Sequence, residues 1–342
     1  MSLPLPIRRS FADAPLVAIL IAVVAAMALM NPGRFLSAGN LGSMTYQLPM
    51  LAFLSFGMMI SMLTGGINLA IVSSANLTGI VTALALNALT GGDSGSASLL
   101  ITGVAMVAGL ASALASGALM GLLVAYLEVP AILATLGVMT LIDGLDVVLT
   151  RGYTLSGFPD ALLAIGNGSA FGVAAPFVLL VVVLAALGVL IRKTRFGFDL
   201  YMIGSNFVAA RYSNINVRSA LMYQYVLSSF FSALAGFVMM GQFNSVKSNY
   251  AESYVLVAVL ACFLGGVDPF GGVGRLTGMT LAVVILQVVS SGVNLMRVDP
   301  FFVTAMWGAM ILALIAINHL AARWRPSRRS VAVSAGPGES DH

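Results

Sequence analysis

The chain has 342 residues, 59% hydrophobic and 8% charged, with a mean hydropathy of +1.01 and a net charge of +4. No soluble domain carries that composition; repeated apolar stretches of roughly 15 to 25 residues mark an all-α, polytopic membrane protein. The positive charge calls for no nucleic acid, because the basic residues flank apolar runs where topology accounts for them. A single cysteine, Cys262, excludes an internal disulfide and reads as a small packed hydrophobe.

Arg8 and Arg9 precede the first apolar run, 16–30. Arg8-Arg9-Ser10-Phe11 has the look of a twin-arginine signal, with Ala26-Met27-Ala28 as a cleavage site. The many spans that follow favour an uncleaved first helix with a cytoplasmic start, ended by Asn31-Pro32-Gly33. Further spans are predicted at 48–63, 69–89, 99–127, 132–149 and 177–191, then at 220–243, 254–264, 278–293 and 302–320. About ten transmembrane helices result. The run from Tyr254 is short, and the segment near Tyr250 reads as partly re-entrant. The 36 glycines suit close helix packing in lipid.

Charge supports the count. With the N-terminus inside, the cytoplasmic segments hold twelve basic residues, and the outer segments hold only Arg34, Arg151, Lys247 and Arg297. The twelve are Arg8, Arg9, Arg192, Lys193, Arg195, Arg211, Arg218, Arg275, Arg323, Arg325, Arg328 and Arg329. Basic residues collect on the cytoplasmic side of spans. Adding or dropping one span before residue 192 would put the basic 192–218 loop outside. The chain thus divides into a transmembrane domain, 1–320, and a basic, then Gly/Ser/Pro-rich tail, 321–342, expected to be disordered and cytoplasmic.

The 192–218 loop is long and patterned. Phe207 to Tyr212 (FVAARY) predicts a short helix, stopped by Asn214-Ile215-Asn216. Phe207, Ala210 and Arg211 fall at helical spacing, an apolar patch with one cation; small Ala209 and Ala210 would admit a close partner. Asn216 belongs to the same candidate docking surface. The competing reading is a solvated basic loop that only sets topology.

No GxxxxGK[ST] phosphate loop is present; Lys193-Thr194 follows Arg192 where glycine is required. The chain is therefore not expected to bind or hydrolyse ATP, and it shows no catalytic triad, metal-ligand set or cofactor motif. His319 lies near the end of the last span, where an interfacial role is expected, and His342 lies in the tail. Asp143 and Asp146 share a helix face at i and i+3. Ionisable groups at such depth face a cavity or a partner. They either line a polar solute path or make a structural contact with Arg151. Asn68, Asn76 and Asn294, with Gln47 and Gln287, either glue helices together or line that path. A weak internal echo pairs Gly65-Gly66-Ile67-Asn68 and Leu77-Thr78-Gly79 with Gly265-Gly266-Val267-Asp268 and Leu276-Thr277-Gly278. It is either a repeat of the kind transporters are built from or chance among many glycines.

Taken together, several segments carry a family resemblance. Leu63-Thr64-Gly65-Gly66-Ile67-Asn68-Leu69-Ala70 looks like a T-x-G-I-D-L-S signature, and Pro130-Ala131-Ile132-Leu133-Ala134-Thr135-Leu136-Gly137 like an F-I-A-T-L segment. Gly204-Ser205-Asn206, Ala209-Ala210-Arg211 and Ser213-Asn214-Ile215-Asn216-Val217 look like one loop, G-x-N-x-x-A-A-R-x-S-G-I-N-V. Leu264-Gly265-Gly266, Gly271-Gly272-Val273-Gly274-Arg275 and Gly292-Val293-Asn294-Leu295 look like L-G-G, G-G-x-G and G-x-N-L elements. The chain resembles, from about Asn40 to Asn318, the membrane permeases of ribose-type, simple-sugar ABC importers. Asn68 departs from that pattern where aspartate is usual, and Asn214 where glycine is usual.

The resemblance implies a fold similar to that of the vitamin B12 importer's permease, with a coupling helix between spans six and seven. It implies two permease copies or paralogues, cytoplasmic ATP-binding subunits, and an extracytoplasmic solute-binding protein delivering a sugar or similar small polar solute across the inner membrane. The alternative is a secondary transporter driven by an ion gradient, for which only Asp143 and Asp146 offer midplane titrating groups. A membrane-embedded enzyme finds no support in the residues.

Overall fold

The computed structural model describes residues 13–170 and 172–324, with the side chains of 170 and 317–324 left aside. The expectations placed on Arg8, Arg9, the signal-like start and the tail from Arg325 lie outside the described residues, as do the side chains of His319 and Arg323. Most of the described residues are helical. Its helices are α1 (Ala14–Met30), α2 (Ala38–Met62), α3 (Ile71–Thr90), α4 (Leu99–Ala125) and α5 (Ala131–Thr150). Next come α6 (Asp160–Asn167), α7 (Ala175–Lys193), α8 (Arg195–Ser205), α9 (Phe207–Tyr212) and α10 (Val217–Phe243). The last are α11 (Tyr254–Leu264), α12 (Leu276–Leu295) and α13 (Pro300–Trp324). Side chains cap several starts: Ser37, Ser98, Thr194, Asn206 and Asn216 each accept from a backbone N–H of the first turn.

Seven of these helices, α2, α3, α4, α5, α7, α10 and α12, are long and apolar enough to cross a membrane. Three shorter apolar helices, Ala14–Met30, Tyr254–Leu264 and Pro300–Ala316, stand at the other expected span positions. Together they make seven helices of spanning length and three further apolar stretches among the described residues, the last being part of the 25-residue α13. The 11 residues of α11 rise about 16 Å, roughly half the hydrocarbon core. Two two-residue antiparallel ladders, β1 (Leu155–Ser156) with β4 (Ser245–Val246) and β2 (Ser169–Ala170) with β3 (Val173–Ala174), depart from a purely α reading. Helix α6 lies between two expected spans, where no helix was predicted; segments this short carry no hydrophobic period to read.

Burial separates the helices into an inner and an outer set. The spans of α2, α3, α10 and α12 are 67% to 72% buried, those of α4, α5 and α7 only 22% to 28%. The inner set shares a core with α11 that includes Phe53, Met59, Phe231, Cys262 and Leu286. Along α4, Ala105, Gly109, Ala113, Gly117, Gly121 and Ala125 recur every fourth residue, all buried. A Cβ on Gly117 would lie 2.7 Å from the Tyr225 carbonyl of α10, and one on Gly109 would lie 2.6 Å from the Thr78 carbonyl of α3. Small residues let backbones approach, and this stripe is the seam that seats α4.

Contacts between connecting segments form two groups. At one end, Arg275 meets Asp13 at 2.8 Å and Arg218 meets Glu128 at 3.7 Å. At the other, Asn31 donates to the Gly292 carbonyl, Phe158 N–H donates to Asn244, and Leu155 pairs with Val246. Each contact joins segments that the charge pattern assigns to one side.

Candidate functional site

The basic loop folds as three pieces. The carboxyl-terminal turn of α7 carries Arg192 and Lys193, α8 follows, and α9 occupies the six positions Phe207–Tyr212 predicted from sequence. Asn206 caps α9 through Ala209 N–H, and Asn214, at φ +58°, turns the chain away. Its direction differs from the expected single face. Ala210 is fully buried, packed with Ala125, Ile215, Val217 and Leu221, and so is not part of the exposed surface. The outward residues are Phe207 (51% exposed), Val208 (61%) and Tyr212 (89%), with Ala209, Arg211 and Asn216 also exposed. Tight spacing in FVAARY hides this, because a helix of one and a half turns has no second repeat to show which face turns inward.

Behind α9 lies a cavity of about 530 Å³ lined by Thr64, Gly66, Glu128, Arg211, Arg218 and Tyr225 among others. At its back is a junction of three segments. A Cβ on Gly204 of α8 would collide with the Leu63 carbonyl and with Gly272 N. Gly272 N–H itself donates to that Leu63 carbonyl, and Gly65, at φ +84°, abuts the Phe270 carbonyl. The break after α2 therefore packs, at Leu63 and Gly65, against the turn at Phe270–Gly272 that follows α11, with α8 wedged on them. Tyr201 of α8 ties down the same region by donating to the Gly274 carbonyl at 2.7 Å. Burial raises its phenol above the ordinary range, with Arg192 pulling partly the other way, so it stays a donor at neutral pH.

The candidate pathway residues do not converge on one site. Asn68 is fully buried; its Nδ2 donates to Ser228 Oγ, its Oδ1 accepts from Ala70 N–H, and Ser228 in turn donates to the Gly57 carbonyl. Asn76 donates to the carbonyls of Ser248 and Tyr250, tying the 247–253 segment to α3. Asp143 is half-buried on α5, and Asp146 is fully buried with neither carboxyl oxygen hydrogen-bonded. No ion pair links either aspartate to Arg151 among the described residues. Asn294, at the end of α12, lines a second cavity of about 230 Å³ between α11, α12 and α13. Sequence reasoning missed that cavity, although Gln287, Ser290 and Asn294 recur on one face of α12 and were its available signal.

A protein-family model described as the permease component of a branched-chain amino acid transport system matches residues 40–317. The chain belongs to this permease family. It is a multi-pass membrane transport subunit and not an enzyme. A ribose import permease protein of Bacillus subtilis (strain 168) is 32% identical, over 87% of this chain and 89% of its own length. An L-arabinose transport system permease protein of Escherichia coli (strain K12) is 30% identical, over 87% of each. A galactose/methyl galactoside import permease protein of the same organism is 28% identical, over 88% of this chain and 93% of its own. No solved structure matches.

Proposed function

We propose that the protein is the membrane-spanning subunit of an ATP-driven importer for a sugar or similar small polar solute. Members of the family are transport permeases, and the relatives above are named for ribose, arabinose and galactose. The observation that carries the reading is α9, an exposed six-residue helix anchored on the bundle through Ala210. A subunit without a phosphate loop must receive ATP energy by contact. Force on Phe207, Val208, Arg211 or Tyr212 would pass through Ala210 to α10 and through α8 to the two helix breaks at Gly65 and Gly271–Gly272.

In this reading all ten apolar helices lie in the inner membrane, in an arrangement similar to the vitamin B12 importer's permease. Both termini and the 192–218 loop face the cytoplasm. The 1–320 domain pairs with a second permease copy or paralogue, meets cytoplasmic ATP-binding subunits at α9, and receives solute from an extracytoplasmic binding protein. The tail assigned to 321–342 lies on the cytoplasmic side, its first four residues being the end of α13.

The test is a charge placed on the exposed face. Val208→Glu or Arg211→Glu should leave the permease folded but weaken ATPase association or coupled uptake about tenfold or more, a loss of roughly 1.4 kcal/mol at an interface. A purified complex of either variant with normal ATPase stoichiometry and normal uptake sinks the assignment. Ala210→Trp tests something else, the seating of α9 on the bundle.

A further inference from the structure

Three helix faces converge on the 230 Å³ cavity. From α12 come Gln287, Ser290 and Asn294, at i, i+3 and i+7; from α13 comes Trp307; from the start of α11 come Ser253 and Tyr254. Gln287 Nε2 donates to Gln47, which leaves its carbonyl oxygen for another donor. The hydroxyls of Ser253, Tyr254 and Ser290 and the Asn294 side-chain amide make no hydrogen bond to described residues. Trp307, only 6% exposed, supplies an aromatic ring. Among the described residues the lining contains no Asp, Glu, Lys, Arg or His.

That inventory selects by chemistry. A zwitterion bound here would leave its ammonium and carboxylate without countercharges, and an unpaired charge in a low-dielectric site is costly. Neutral hydroxyls instead find donors, acceptors and a ring against which an apolar sugar face can lie. Drug-sized ligands fill pockets of about 300–1,000 Å³, so this cavity suits a single small ring. From Gln287 to Asn294 it runs about 10 Å along α12, from the helix middle to its carboxyl end.

We infer that the cavity between α11, α12 and α13 is a solute subsite inside one permease chain, for one neutral, hydroxyl-rich ring of pentose or hexose size. The inference rests on the importer reading and adds to it a place and a selectivity against amino acids. Two tryptophans are present, so a Trp324→Phe chain carries Trp307 as its sole indole. The full-length chain in lipid nanodiscs is titrated with D-ribose, L-arabinose, D-galactose and L-leucine while Trp307 emission is followed. At least one sugar should change the emission saturably, and L-leucine should not. Asn294→Leu, at an exposed helix end, should weaken that response about tenfold, equivalent to roughly 1.4 kcal/mol, and raise the KM for uptake of the same sugar by the complete importer with its ATPase stoichiometry unchanged. An emission that answers none of the three sugars overturns the inference. If cells still import one of them with unaltered KM in Asn294→Leu, the subsite falls and the importer stands. Uptake of L-leucine with a Trp307 response to it overturns both.

Discussion

Asn214 holds φ at +58°, a conformation that costs most L-residues roughly 1–2 kcal/mol but that asparagine and glycine adopt readily. Its departure from glycine is therefore conservative in backbone terms. Asn214→Gly should leave the melting temperature of the purified permease nearly unchanged, whereas Asn214→Val should lower it by the equivalent of about 1–2 kcal/mol; equal melting of both variants would refute the account. Asn68, the other departure, has a different logic. Its amide donates to Ser228 while its carbonyl oxygen accepts from Ala70, so an aspartate would have to take the Ser228 hydroxyl away from Gly57. Sequence identified both positions as unusual without giving a cause, because hydrogen-bond direction and φ belong to the folded chain. It located α9 to the residue, with Asn214-Ile215-Asn216 as its stop, and misjudged Ala210, whose burial depends on α4 and α10 far away in the chain.

Helices were easier to read than their faces. Each apolar run became a helix, yet which of them form the core was hidden, because a helix facing lipid and one facing other helices are equally apolar. The α4 stripe was readable in principle: six small residues at four-residue spacing mark a seam whatever the surrounding hydrophobicity. The substitution Gly117→Leu drives a side chain into the Tyr225 carbonyl and Ser229 of α10, where overpacking costs typically 1–3 kcal/mol and here meets backbone. Gly103→Leu, on the same helix with nothing within 4 Å of its Cβ position, is the control. Size-exclusion profiles and melting of the solubilised chains should show loss or aggregation for the first and a near-native profile for the second. Identical behaviour of the two would remove the seam. The internal echo belongs to this scale as well. Its first half meets, at Gly65, the Phe270–Gly271 turn just beyond the Gly-Gly pair of its second, a proximity that two hundred residues of separation concealed.

Over the whole molecule, two independent patterns coincide. Basic residues separate twelve to four between the two sets of connecting segments, and the contacts of the folded chain join segments within a set, Asp13 with Arg275 and Glu128 with Arg218 in one, Phe158 with Asn244 in the other. Charge bias alone orients a membrane protein; contact alone only says which loops share an end. Together they make orientation testable with two cysteines. Ser205 at the end of α8 and Ser156 in β1 are both exposed, one in each set. The sole native thiol, Cys262, is fully buried beside the Ser55 carbonyl, and a serine hydroxyl there keeps a donor for it. In a Cys262→Ser background, a membrane-impermeant maleimide added to intact cells should label Ser156→Cys, and should reach Ser205→Cys only after the membrane is opened. Labelling of both from outside would place an odd number of crossings between α8 and its expected face, and the cytoplasmic assignment of α9, with the coupling role built on it, would fall.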